Sequence, residues 1–180
     1  MNAIIFALIT YFGWGIGDVF GAIPARSIGP YRTMIGLITI TSFIFFPLVP
    51  SHIHEIFSFT PMLMMITLAL GSIFILGNIA IGEALRKTNA SLALTIFSSY
   101  SALIVLLSVL FYREPLNVWQ VISIGIIFLG VFFCTYIPKS QNRLTHTQKV
   151  GISWAMLGMV CIGVFFTFIK PVVRIVGWFW

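Results

Sequence analysis

Residues 89–131, NASLALTIFSSYSALIVLLSVLFYREPLNVWQVISIGIIFLGV, decide the fold. No charge occurs from Asn89 to Tyr112; Arg113-Glu114-Pro115 then interrupts, and a second uncharged run begins at Leu116. A helix that crosses a bilayer needs roughly 20 consecutive apolar residues, so the stretch reads as a helical hairpin crossing twice. Pro115 suits the turn, because proline cannot continue a helix but fits the first turn of the next one.

Composition extends that reading to the whole chain. Hydrophobic residues make up 59% of the 180 residues and charged residues 8%, against roughly 45–50% and 25% in soluble domains. Lipid admits only helices or closed barrels, and barrel strands alternate apolar and polar residues. The apolar runs here are continuous, so the expectation is an all-α, polytopic transmembrane helix bundle in a lipid bilayer. The net charge of +6 would suggest an anionic partner in a soluble protein. Here the Lys and Arg residues lie mostly between the apolar runs, and no basic cluster is interleaved with aromatics as a nucleic-acid surface requires. Cys134 and Cys161 both fall in expected spans, which argues against a disulfide framework.

Working outward, helix one is expected from Asn2 to Ile23, ended by Pro24. Gly13, Gly17 and Gly21 recur every fourth residue and form a flat seam for another helix, either simply packed or sliding against its neighbour. Helix two is expected from Tyr31 to Val49, with Arg32 in its first turn. His52, His54 and Glu55 follow in a loop; His-x-His alone lacks the further ligands that zinc takes, so no metal and no cofactor is expected. Helix three starts near Pro61, is uncharged from Met62 to Gly82 and closes on Glu83-Ala84-Leu85-Arg86-Lys87. Its Asn78 is either a cavity-lining amide or an interhelical hydrogen-bonding group.

Helix four is the first arm of the hairpin, Asn89 to Tyr112. Ser91, Thr95, Ser98, Ser101 and Ser108 draw one stripe along it, which serves close packing or a polar path. Helix five runs from Leu116 to Ile137. Residues 138–149, PKSQNRLTHTQK, form the longest polar segment and read as a linker. Helix six starts near Val150.

The order of features resembles the repeat unit of EamA-type transporters in the drug/metabolite transporter superfamily. In the hairpin these are the small residues leading into Ser98-Ser99, then Glu114-Pro115-Leu116, Gln120, Gly125 and Gly130-Val131. Gly13-Trp14-Gly15 resembles the Trp-Gly that closes the first helix of that repeat, and Arg32 matches an Arg at the start of its second helix. The resemblance implies two five-helix repeats of inverted topology around a central pathway for small metabolites, worked by alternating access. Ile4, Ala7, Gly15, Phe20 and Arg26 align with Ile152, Ala155, Gly163, Phe168 and Arg174 at a shift of 148. Residues 1–137 are therefore expected to be a first repeat, 138–149 a linker and 150–180 the start of a second repeat in a truncated chain; the alternative is a complete six-helix protein. One departure stands out: the family often has a proline in helix four where this chain has Ala102. The hydroxyls of Ser98, Ser99 and Ser101 are candidates to bend the helix instead, by bonding back to its carbonyls.

With the N-terminus outside, the cytoplasmic side would hold Arg26, Arg32, Arg86, Lys87, Lys139, Arg143 and Lys149, and the other side Arg113, Lys170 and Arg174. The positive-inside rule favours that orientation, whereas family descriptions commonly put both termini in the cytoplasm.

No GxxxxGK[ST] loop, G-x-S-x-G elbow or His-Glu-x-x-His occurs, and there is one Asp. An enzyme is not expected. The reading is a secondary transporter or facilitator for a small metabolite or drug-like solute, an amino acid, a sugar or similar, in the plasma membrane of bacterial type. The other class is a non-transporting membrane subunit, a homodimer or a partner of another membrane protein, packing through the glycine seam. Ionisable residues at membrane depth are functional candidates by default. Asp18 is expected to pair with Arg32, or to bind a cationic group or proton; otherwise it is an interfacial acid near Arg26. Trp14, Asn78, Tyr100, Ser98 and Ser101 complete the expected solute-contacting set.

Overall fold

A computed structural model describes residues 2–52, 60–113, 115–135 and 145–177. Within them lie α1 (Asn2–Ser27), α2 (Pro30–Phe45), a 3-10 turn (Phe46–Leu48), α3 (Val49–His52) and α4 (Pro61–Lys87). Then come α5 (Ala90–Ser98), α6 (Tyr100–Tyr112), α7 (Val118–Thr135) and α8 (His146–Val176). No strand occurs among the described residues. The fold is an all-α polytopic membrane bundle.

Length and composition explain the spans. The segments Pro30–Ser51, Pro61–Lys87, Ala90–Tyr112 and His146–Val176 are each long and apolar enough to cross a membrane. The 26 residues of α1 extend about 39 Å at 1.5 Å per residue, beyond the roughly 30 Å of a hydrocarbon core. Large apolar side chains point outward, Phe43 at 77% and Trp119 at 74% exposure. In water that would be untenable; against lipid it costs nothing.

Helix two, expected to reach Val49, gives way after Phe45 to the 3-10 turn that holds Pro47, and four further boundaries differ from the sequence expectation, each for a local reason. Pro24 does not end α1, which runs on to Ser27 and stops at Gly29, whose φ of 91° suits glycine. Helix five begins at Val118 rather than Leu116, because the Asn117 side chain and Gln120 cap it: the Asn117 N–H donates to Gln120 Oε1 at 2.9 Å. Helix six begins at His146, inside the expected linker. Thr145 and Gln148 form a capping box, with the Gln148 N–H donating to Thr145 Oγ1 and the Thr145 N–H donating to Gln148 Oε1. Helix four is broken at Ser99 into α5 and α6. There Ser99 N–H bonds the Ile96 carbonyl, the Ser98 hydroxyl donates to Leu94 O at 2.7 Å and the Ser99 hydroxyl to Thr95 O at 3.1 Å. The hydroxyls of Ser98, Ser99 and Ser101 thus bond back to helix carbonyls at the break, as expected of residues that can bend a helix without proline. His54, Glu55, Glu114, Lys139, Arg143, Trp178 and Trp180 lie outside the described residues.

The bundle is built on α4 and α8, which run antiparallel in close contact. Gly151, Ala155 and Gly158 of α8 are buried, and they meet Gly77, Ile81, Ala84 and Thr88 of α4. A Cβ placed on Gly158 would lie 3.1 Å from the Gly77 carbonyl oxygen and 3.4 Å from Ile81 N. One on Gly77 would lie 2.9 Å from Ile162 Cδ1, and one on Gly151 3.0 Å from Thr88 Cβ. Here lies the small-residue seam of this chain. The expected seam of Gly13, Gly17 and Gly21 is different: nothing lies within 4 Å of a Cβ on any of them. They face a cavity and not a helix. At the far end α6 runs parallel to α8, joined by Tyr112 Oη donating to the Thr167 carbonyl at 3.2 Å and by Phe111 against Phe168.

Gly158→Leu is expected to destabilise the protein in detergent by about 1–3 kcal/mol, since its side chain must displace backbone. Gly125→Leu, whose Cβ meets nothing within 4 Å, is expected to stay within about 0.5 kcal/mol of the parent. Unfolding monitored by circular dichroism in a denaturing detergent titration compares the two.

Candidate functional site

Two cavities meet at α1. The first, about 410 Å³, lies between α1, α2, α4 and α5; α1 contributes Gly13, Trp14, Gly17, Asp18 and Gly21, and α4 contributes Phe74 and Asn78. The second, about 520 Å³, lies between α1 and the α5–α6 break, lined by Trp14, Asp18, Phe97, Ser98, Tyr100 and Ser101 among others. Trp14 and Asp18 belong to both walls. The glycines create the space: without side chains on that face of α1, the first cavity stays open.

Most of the expected site residues are thus brought together. Trp14, Asp18, Asn78, Ser98, Tyr100 and Ser101 line the paired cavities, and Gly13, Gly17 and Gly21 line the first. Arg32 is not with them. It lines a third pocket, about 390 Å³, at the α1–α2 turn with Arg26 and Arg86. Among the described residues no ion pair joins Asp18 to Arg32 or to Arg26, and Arg26 instead donates Nε–H to the Leu85 carbonyl at 2.9 Å.

Asn78 donates one Nδ2–H to the Phe74 carbonyl on its own helix at 2.9 Å. Ser98 donates to Leu94 O and Ser101 to Ser98 O at 3.2 Å. The two serine hydroxyl hydrogens are used locally, so Ser98 and Ser101 offer a guest their lone pairs, beside the Asn78 amide oxygen and the Asp18 carboxylate; the second Asn78 N–H, the Tyr100 hydroxyl and the Trp14 indole N–H are donors in the same walls. Aromatic faces complete the walls. Tyr100 stacks on Phe166 at 5.9 Å and meets Phe97 at 5.6 Å, and Trp14 meets Phe166 edge-on at 6.4 Å. Sequence reading missed Phe74, Phe97 and Phe166. Phe74 was within reach, one helical turn before Asn78 on the same face; Phe166 touches the site only through folding, and no local signal marks it.

Charge is sorted to the two ends of the bundle. Arg26, Arg32, Arg86, Lys87 and Lys149 lie at one end, where α1 and α4 finish and α2 and α8 begin; Arg113, Lys170 and Arg174 lie at the other. Glu83, at 9% exposure, pairs with Arg86 at 3.0 Å and Lys87 at 3.3 Å.

A water-filled cavity is chemically distinguishable from a lipid face, because thiols react as thiolates and lipid suppresses ionisation. In a background with Cys134 and Cys161 replaced by Ser, Asn78→Cys and Ser98→Cys are expected to react with a membrane-impermeant methanethiosulfonate about tenfold faster or more than Ile126→Cys. Ile126 is 63% exposed on the outer surface. Equal rates would mean the cavities are not hydrated.

Comparison with known proteins gives this arrangement a setting. The model of the EamA-like transporter family matches residues 1–136. An uncharacterized transporter of Bacillus subtilis (strain 168), YxxF, is 35% identical over 91 residues, covering 51% of this chain and 29% of that protein. The match therefore spans less than a third of that relative's length. No solved structure matches the chain. A helical chain whose first 136 residues fit the family's model along α1 to α7 belongs to the EamA-like transporter family.

Proposed function

We propose that the chain serves secondary transport or facilitated passage of a small solute across the plasma membrane, and that the paired cavities around Asp18 are its solute site. The carrying observation is the position of Asp18 in the wall common to both cavities, with no ion pair to it among the described residues. A carboxylate beside hydroxyl lone pairs, an amide oxygen and aromatic faces favours a guest that brings hydrogen-bond donors or positive charge. A protonated amine fits best, which points to amino-acid-like or amine-bearing drug-like solutes. Trp14 and Tyr100 supply faces for the cation, and Asn78, Ser98 and Ser101 accept its N–H groups.

The organisation supports a repeat-based reading. We take 1–137 as one repeat, 138–149 as a linker and 150–180 as the start of another. The antiparallel setting of α1 and α8 favours an inverted relation between them, the plan used by many carriers.

Reconstituted in proteoliposomes, the protein is expected to show saturable uptake of amine solutes, with neutral and acidic analogues transported less. Asp18→Asn, nearly isosteric and uncharged, is expected to lower uptake about tenfold, the loss of one partly desolvated cation contact. Unchanged uptake and unchanged pH dependence in that variant would remove the acid from the mechanism. Silence of the parent across a broad solute panel, with a stable partner on purification, would favour a membrane subunit instead.

A further inference from the structure

The geometry points to a phosphate-anion site at the α1–α2 turn, separate from the solute cavities and built for the headgroup of an anionic phospholipid or for free phosphate. The pocket of about 390 Å³ is lined by Arg26, Ser27, Gly29, Tyr31, Arg32 and Arg86. Three arginines from three helices line it, and a guanidinium presents several N–H donors in a planar fork that matches phosphate oxygens.

Fixed contacts hold two of them in place. Arg26 is tethered by its Nε–H to the Leu85 carbonyl, a contact that does not use its terminal nitrogens. Arg86 uses Nη1 on Glu83 at 3.0 Å. Glu83 is the one acid at this rim among the described residues, and it also pairs with Lys87. One carboxylate thus stands against four cations, and Arg32 has no acid partner among the described residues. The backbone adds to the field. α2 starts here at Pro30, with Gly29 as an N-cap that offers no side chain, so the first-turn N–H groups of Tyr31 and Arg32 have no side-chain cap. Uncapped N–H groups with the positive end of the helix dipole favour an anion.

Position decides what reaches it. This end of the bundle gathers Arg26, Arg32, Arg86, Lys87 and Lys149, at the level where spanning helices meet headgroups. Anionic lipid is the most concentrated phosphate source there, and each cation near such a surface contributes a several-fold gain in affinity. Bound there, the headgroup would bridge the ends of α1, α2 and α4.

The test uses the detergent-solubilised chain and native mass spectrometry with equimolar phosphatidylglycerol and phosphatidylcholine, alongside thermal unfolding in inorganic phosphate against chloride at matched ionic strength. One phosphatidylglycerol is expected to be retained in preference to phosphatidylcholine. Arg32→Gln and Arg86→Gln are each expected to weaken that retention about fivefold, whereas Lys149→Gln, a cation at the same end that does not line the pocket, leaves it within about twofold. Helix content by circular dichroism checks that the variants fold, and two independent arginine variants guard against one that does not. Stabilisation by inorganic phosphate, lost in Arg32→Gln and without lipid preference, would identify the anion as soluble phosphate. Equal retention by parent and arginine variants with no phosphate effect would overturn the site. So would an equal loss in Lys149→Gln, which would mean diffuse surface charge.

Discussion

The close approach of α4 and α8 is the contact on which the rest of the bundle depends. Lipid removes the hydrophobic drive that holds soluble helices together, so association rests on close van der Waals packing and interhelical hydrogen bonds. Gly77, Gly151 and Gly158 let the two backbones come near enough for those short-range forces to operate, and Gly158 would place a Cβ 3.1 Å from a carbonyl oxygen. The other helices attach to this pair. α5 and α6 lie along α8, while α1 and α2 attach to α4. For α1 the attachment is one-sided. Ala22 and Ala25 are buried near its end and Arg26 is tied to Leu85, but the long apolar residues from Ile5 to Phe20 are exposed. A helix pinned at one end and open along its glycine face makes the cavities.

Much of this was legible because lipid writes strong rules into sequence. Uncharged runs gave the spans, cations marked the ends, and Thr60-Pro61 marks the start of α4, where Thr60 accepts the Leu63 N–H. What failed falls into two kinds. Some signals were present and unread: Thr145-x-x-Gln148 is a capping box that moves the start of α8 into the polar segment, and Asn117-x-x-Gln120 caps α7. Others were not in the local sequence at all. Small residues along one face of a helix announce a flat surface, not what lies against it; in α1 that surface lines a cavity and in α8 it meets α4. Periodicity is a property of one helix, whereas contact belongs to two.

The grouping of the candidate residues around common cavities was more legible than their charge pairing. Six of the expected solute-contacting residues share two cavities because they sit on the mutually facing sides of α1, α4 and the α5–α6 break. The expected pairing of Asp18 with Arg32 failed on geometry. Arg32 leaves the start of α2 toward the end of the bundle, while Asp18 lies eight residues before Arg26, about 12 Å along the helix axis. Within that length the chain passes from a cavity to a solvated rim.

This separation has a consequence for how such a site works. An acid paired with arginine inside the protein would be neutralised, and a cationic guest would have to break that pair before binding, at a cost of several kcal/mol for a desolvated pair. Among the described residues no ion pair joins the arginines to the acid, so a cationic guest would have no such pair to break. On the proposed reading the cations would serve the membrane surface and the carboxylate a guest. Keeping Asp18 and Arg26 apart on one 26-residue helix is what would let the two proposed kinds of recognition, of an anion at the rim and of a cation within, share a single small bundle.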